Sequence, residues 1–211
     1  DWRRRGLATD LMNRVIASLE ADGVLPGLDA TPAGREVYRQ LGFVDICALE
    51  RMTAAEARPV AQPPDGIEIR RLSAADMEAV AHYDAPIFGG DRAALLSHLR
   101  ERQPARASGA WRDGELAGYA LAREGRTWTQ IGPVIADSEA IASSLIAASI
   151  RPEAGSRNML IDAMAAHPGL LDWLGQAGFA FQRPYIRMLR GTDRAPDRPR
   201  FVFAAAGPEL G

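Results

Sequence analysis

The sequence predicts an α/β (α+β) protein, a mixed and mostly antiparallel sheet flanked by helices. Three observations carry this. Apolar residues recur at helical spacing in some segments and alternate as in strands in others, with Gly and Pro marking the joints. The two kinds of segment interleave along the chain instead of falling into separate blocks. One unit also occurs twice: "TPAGREVYRQLGF" (31–43) and "HPGLLDWLGQAGF" (167–179) each follow an apolar strand, open on X-Pro, close on Gly-Phe and lead into another strand. Such repetition predicts two copies of one fold in tandem, the first of them truncated.

Taken in order, Leu11, Met12, Val15, Ile16 and Leu19 lie at helical spacing over 9–22, and Asp22-Gly23 stops that helix. Residues 24–30 form a short apolar strand whose first half Pro26 weakens. Thr31 is the N-cap and Pro32 the first position of a helix that ends at Gly42, and 43–52 return as a strand. Residues 53–66 hold three Pro, several Ala and few bulky apolar groups, and read as a linker. Residues 1–55 are then a first unit, 56–66 the connection, and 67–211 a second unit.

The second unit opens with an alternating strand, 67–72, followed by helices from Ser73 to about His82 and over roughly Arg92–Arg102. Three antiparallel strands come next, turning at Asp113-Gly114 and Glu124-Gly125. A helix at 138–150, with Asp137 placed to cap it, precedes a strand at 158–166, a helix at 168–177, a strand at 179–189 and a last strand near the C-terminus.

The composition excludes several classes. With 211 residues, 47% hydrophobic, 25% charged and a net charge of −2, the chain can bury a sizeable core and lacks the basic face of a nucleic-acid binder. No run of 18 apolar residues suggests a membrane span. The single Cys47 rules out an internal disulfide framework and fits a cytoplasmic protein. All 25 basic residues are Arg, a chain-wide bias that points to no particular site.

The functional signal is at the front. Arg3-Arg4-Arg5-Gly6-Leu7-Ala8-Thr9 reads as a loop opening a helix. A helix N-terminus presents unpaired N–H groups and the positive end of the dipole, so it suits a phosphate, and Gly6 allows close backbone approach. This Arg-x-x-Gly-x-Ala loop, followed at the expected distance by a helix ending Tyr38-x-x-x-Gly42-Phe43, resembles the GCN5-related N-acetyltransferase (GNAT) family over residues 2–52. The layout with a degenerate second copy looks like bacterial members that carry an extra acetyltransferase-like domain.

That resemblance implies an acetyl-CoA-dependent N-acetyltransferase passing its acetyl group directly to an amine. The loop Arg3, Arg4, Arg5, Gly6, Leu7, Ala8, Thr9, with Thr31 and Arg35, would hold the cofactor, acetyl-CoA acting as co-substrate. Tyr38 would be the general acid for the departing thiolate; tyrosine, with an ordinary pKa near 10, can give a proton without ionising first. Thr31 stands where many members carry Asn, and Gly34 where they carry a small residue, usually Ala. Strands that in the family precede the loop would bring the splayed edge for the pantetheine arm, so the resemblance implies a parent that starts some 70–100 residues earlier, this portion alone being inactive.

In the second copy the loop motif is absent and Leu174 stands at the tyrosine's place, five residues before Phe179, so this copy is expected to be scaffold or lid. His82, His98 and His167 show no ligand spacing, and no metal is expected. The turn around His82-Tyr83-Asp84 and 86–92 could line an acceptor pocket. Glu115 and Asp162 have no partner visible in the sequence, so no general base is named. Expected partners are a small-molecule or amino-group acceptor and, for the chain itself, a homodimer; neither nucleic acid nor membrane is expected. The competing reading is a non-catalytic acyl-CoA-binding or scaffold protein with the same fold.

Overall fold

The computed structural model describes residues 7–150, 157–208 and 210. In chain order the elements are α1 (Leu7–Ala21), β1 (Gly27–Ala30), α2 (Pro32–Gln40), β2 (Phe43–Glu56), β3 (Glu68–Arg71), α3 (Met77–Phe88), α4 (Ala93–Arg102) and β4 (Ser108–Arg112). They continue with β5 (Glu115–Glu124), β6 (Thr129–Ala136), α5 (Glu139–Ser149), β7 (Arg157–Met164), α6 (Pro168–Gln176), β8 (Ala180–Arg190) and β9 (Val202–Ala204).

All nine strands lie in one sheet, in the order β1-β8-β2-β7-β9-β6-β5-β4-β3. Pairings are antiparallel except β6 with β7, which run parallel over Thr129–Ile131 and Met159–Ile161. The mixed, mostly antiparallel sheet flanked by helices is therefore the observed class. Asp113 and Gly114, both at positive φ, make the two-residue hairpin turn that joins β4 to β5.

The sheet is covered on both faces. One face buries Ile141, Leu145 and Ile146 of α5 and Leu170 and Leu174 of α6. The other buries Val80 and Ile87 of α3 and Leu96 and Leu99 of α4 against Tyr119 and Leu121 of β5. Complete burial of side chains this size contributes roughly 1.5–3 kcal/mol each. A third, small cluster joins Ile16 of α1, Ala30, Phe43 and Met188, with Tyr38 packed on it.

Strands from residues 1–55 and from 67–211 interleave. The strand that follows the repeated helix in each part, β2 or β8, lies against the strand that precedes the repeated helix of the other: β2 pairs with β7 and β8 pairs with β1. β2 and β8 also pair with each other, and Leu49, six residues after Phe43, faces Tyr185, six residues after Phe179. Arg51 and Arg187, each eight residues after those phenylalanines, face Asp162 and Asp29. β2 and β8 thus pair about a local two-fold between Leu49 and Tyr185.

Several boundaries differ from the sequence-based expectation. β1 begins at Gly27; Pro26 before it has no N–H to give, though its carbonyl accepts from Arg190 N–H at 3.0 Å. β2 continues to Glu56, four residues into the expected linker, because β7 supplies partners as far as Arg157. α3 runs through Pro86 to Gly89, whose left-handed conformation ends it. Ser138, not Asp137, caps α5, its hydroxyl accepting from Ile141 N–H.

Candidate functional site

α2 starts two residues after β1 because Thr31 is extended at the cap: its Oγ1 accepts from Gly34 N–H at 3.2 Å. The threonine is therefore engaged in ending the loop. An added Cβ on Gly34 would lie 3.0 Å from Tyr38 Cε2, so the glycine leaves room for the tyrosine ring to lie along the helix. The ring meets Phe43 edge-on at 6.1 Å and is half-buried, packed on the cluster that contains Ile16. α1, β1 and α2 converge there.

Arg35 and Arg39 both grip Asp45, at the start of β2. The Arg35 guanidinium, helped by Arg39, holds the Asp45 carboxyl down at about 2, and Asp45 in turn raises the Arg35 pKa. Arg35 is thus an ion-paired side chain at the rim of the site. At the other end of α1, Leu7, Ala8 and Thr9 form the first helical turn and are exposed, with Asp10 beside them. Arg3, Arg4, Arg5 and Gly6 lie outside the described residues.

The matching places of the second half are built differently. Leu174 is completely buried where Tyr38 is half-exposed. Ahead of α5, Asp137 accepts from the Tyr83 hydroxyl at 2.8 Å and pairs with Arg112 at 3.5 Å. Burial, and then the Asp137 carboxylate, push the Tyr83 pKa well up. His82, Tyr83 and Asp84 lie within α3 and not in the expected turn; Asp84 is buried, held by two Arg92 hydrogen bonds of 2.8 and 2.9 Å and by the Tyr119 hydroxyl. These carboxylates brace α3 and α4 on the sheet.

Two buried ion pairs had no signal in the sequence. Arg51 holds Asp162 through two bonds of 2.7 and 2.8 Å, and Gln130 Nε2 donates to the same carboxylate. Arg187 holds Asp29 at 2.8 and 2.9 Å. Their residues are 111 and 158 positions apart, so no local pattern could join them. Cys47, half-buried near Arg187, has its thiol pushed up to about 11 by burial. Among the described residues no group of three His, Cys, Asp or Glu could hold a metal ion, and no helix is long and apolar enough to cross a membrane.

The helix-flanked mixed sheet with its short parallel pair is a fold the chain shares with solved acetyltransferases. The chain belongs to the GNAT acetyltransferase family: the profile described as acetyltransferase (GNAT) domain matches residues 80–204. It is similar to the uncharacterized N-acetyltransferase YitH of Bacillus subtilis (strain 168), 28% identical over 180 residues, which is 85% of this chain and 62% of that one. The chain thus spans less than two thirds of that relative's length. Among solved structures, an acetyltransferase candidate from Pyrococcus horikoshii superposes with a TM-score of 0.73 at 22% identity, over 100% of this chain and 68% of its own. A GCN5-related N-acetyltransferase from Sphaerobacter thermophilus gives 0.63 at 17%, over 93% and 72%. At these identities the two structures speak for the fold.

Proposed function

We propose that the protein is an acetyl-CoA-dependent N-acetyltransferase whose working site lies at the β1–α2 corner. The observation that carries this is the position of Tyr38: half-exposed on α2, directly after a strand that no described residue pairs on its outer edge. The loop Arg3–Gly6 and the exposed amides of Leu7, Ala8 and Thr9 would take the pyrophosphate, and Thr31 and Arg35 would border the cofactor. The outer edge of β1 near Ala30 would take the amide-bearing arm of acetyl-CoA as an added strand would be taken.

The amine nitrogen of a small molecule or amino group attacks the thioester carbonyl carbon. The C–S bond breaks, the thiolate takes the Tyr38 hydroxyl proton, and the proton lost by the nitrogen returns to the phenolate through solvent. Residues 1–55 and 67–211 are read as two copies of one fold, on the strength of their matching helices, strands and buried Arg–Asp pairs.

Tyr38→Phe tests the proposal on an acetyl-CoA and amine panel, in the longest form of the protein that turns over. A kcat lower by about 10²–10⁴-fold with acetyl-CoA affinity kept is expected for a lost general acid. Unchanged turnover overturns the role of Tyr38. Binding without turnover on any amine, in the unsubstituted protein, would favour an acyl-CoA-binding module.

A further inference from the structure

Beyond their parallel contact at Thr129–Ile131 and Met159–Ile161, β6 and β7 part, and the notch between them is filled by β9. β9 runs antiparallel to both walls: Ala204 faces Val134 on one side and Ala163 on the other, and Val202 faces Ile135. Just beyond the strand, Ala205 N–H donates to Asp162 O at 3.0 Å. Two parting strands would otherwise leave backbone N–H and C=O groups buried without partners, which is costly.

The segment is shaped to this seat. Ala204, Ala205 and Ala206 are buried, and small side chains are what a narrowing notch admits. A Cβ on Gly132 of β6 would come within 1.9 Å of the Ala205 carbonyl oxygen, so only glycine lets the two backbones lie this close. Phe203 fills one core and Val202 the other. His167 stacks on the Phe203 ring at 4.1 Å, with Nε2 at 2.8 Å from Val202 O.

The first part repeats one wall of this geometry, without an occupant against it. Ala163 faces Glu50 and Ala30 faces Ile186, and Glu50 and Ile186 each stand seven residues after the repeated phenylalanines. Ala30 therefore matches Ala163. On the far side of Ala163 sits Ala204; on the far side of Ala30 the described residues place no strand.

We infer that β9 is the resident occupant of the second notch, an intramolecular strand standing where an extended, amide-bearing ligand arm would lie. The C-terminal part is thereby closed to acyl-CoA, and among the described residues the edge left open is that of β1. What the notch would otherwise take rests on the proposed function; the seating of β9 does not.

Hydrogen exchange of the full chain, with and without millimolar acetyl-CoA, tests this. Residues 202–206 should exchange as slowly as 134–136 and be unaffected by acetyl-CoA, any footprint falling on 7–9 and 27–34. A saturable change at 202–206, or exchange there more than about 100-fold faster than at 134–136, overturns the inference. Gly132→Ala should speed exchange at 202–206 at least about tenfold by pushing the strand off; no change would show that β9 is not seated against Gly132. If acetyl-CoA leaves no footprint anywhere while 202–206 stay slow, the proposed function fails and the closed notch stands.

Discussion

α1 and α5 carry the same apolar stripe and meet opposite fates. Leu11, Met12, Val15 and Ile16 in one, and Ile141, Ala142, Leu145 and Ile146 in the other, share one spacing. In α5 all four are buried against β4, β5 and β6. In α1 only Ile16 is buried, while Leu11 is 63% and Val15 45% exposed. The strands that flank them differ in the same way, β7 being paired on both sides and β1 on one. A helix pattern records which face should be covered; whether it is covered depends on strands elsewhere. The helix that follows bare α1, α2, keeps the half-exposed Tyr38, and the helix that follows covered α5, α6, has buried Leu174 five residues before its Gly-Phe end.

The contrast can be broken most severely at the buried ion pairs. Arg51→Ala and Arg187→Ala each leave a buried carboxylate behind, and each should lower unfolding free energy by about 3–5 kcal/mol in denaturant titration. Arg51→Ala should cost less, since Gln130 still donates to Asp162. A larger loss for Arg51→Ala would show the pairs are not equivalent in the way their register suggests.

Leu145→Ala should cost about 2–5 kcal/mol by leaving a cavity in a packed core, whereas Leu11→Ala should stay within about 0.5 kcal/mol. A comparable loss for Leu11→Ala would mean that something covers α1 in solution. Cys47 sharpens the picture of the shared sheet. With its thiol near 11, alkylation at pH 8 should be slow in the folded protein and fast after denaturation. Prompt native labelling would place Cys47 in a looser setting.

The smallest effect belongs to Asp45. Its folded pKa of about 2 lies below the ordinary carboxylate value near 3.9, so its contribution is present above about pH 4 and lost as pH falls towards 2. Because the pair is largely exposed, Asp45→Asn should change stability by less than about 1 kcal/mol at pH 7, the difference shrinking as pH falls through 2.

Much of this was legible in the sequence, where the controlling chemistry is local. X-Pro openings, Gly-Phe closings and the Asp113-Gly114 turn are short-range devices, and each lies where it was expected. So does the contrast between Tyr38 and Leu174. Asp162 gave no sign of Arg51, nor Asp29 of Arg187, because strand order decides those meetings. Asp137 misled for a related reason: its carboxylate is taken by Tyr83 and Arg112, leaving the cap to Ser138. Nor could periodicity reveal that the last short strand slips into a notch between two others.

The pairing of β1 with β8 has a consequence for the making of the protein. Asp29 waits 158 residues for Arg187, an interval of roughly 8–30 s at ribosomal rates of about 5–20 residues per second. During that time β1 and β2 are in hand without β8, which in the finished sheet lies between them. β1 and β2 thus wait for the neighbour they share, and holding this stretch of the nascent chain apart from other chains becomes a condition for reaching the native sheet.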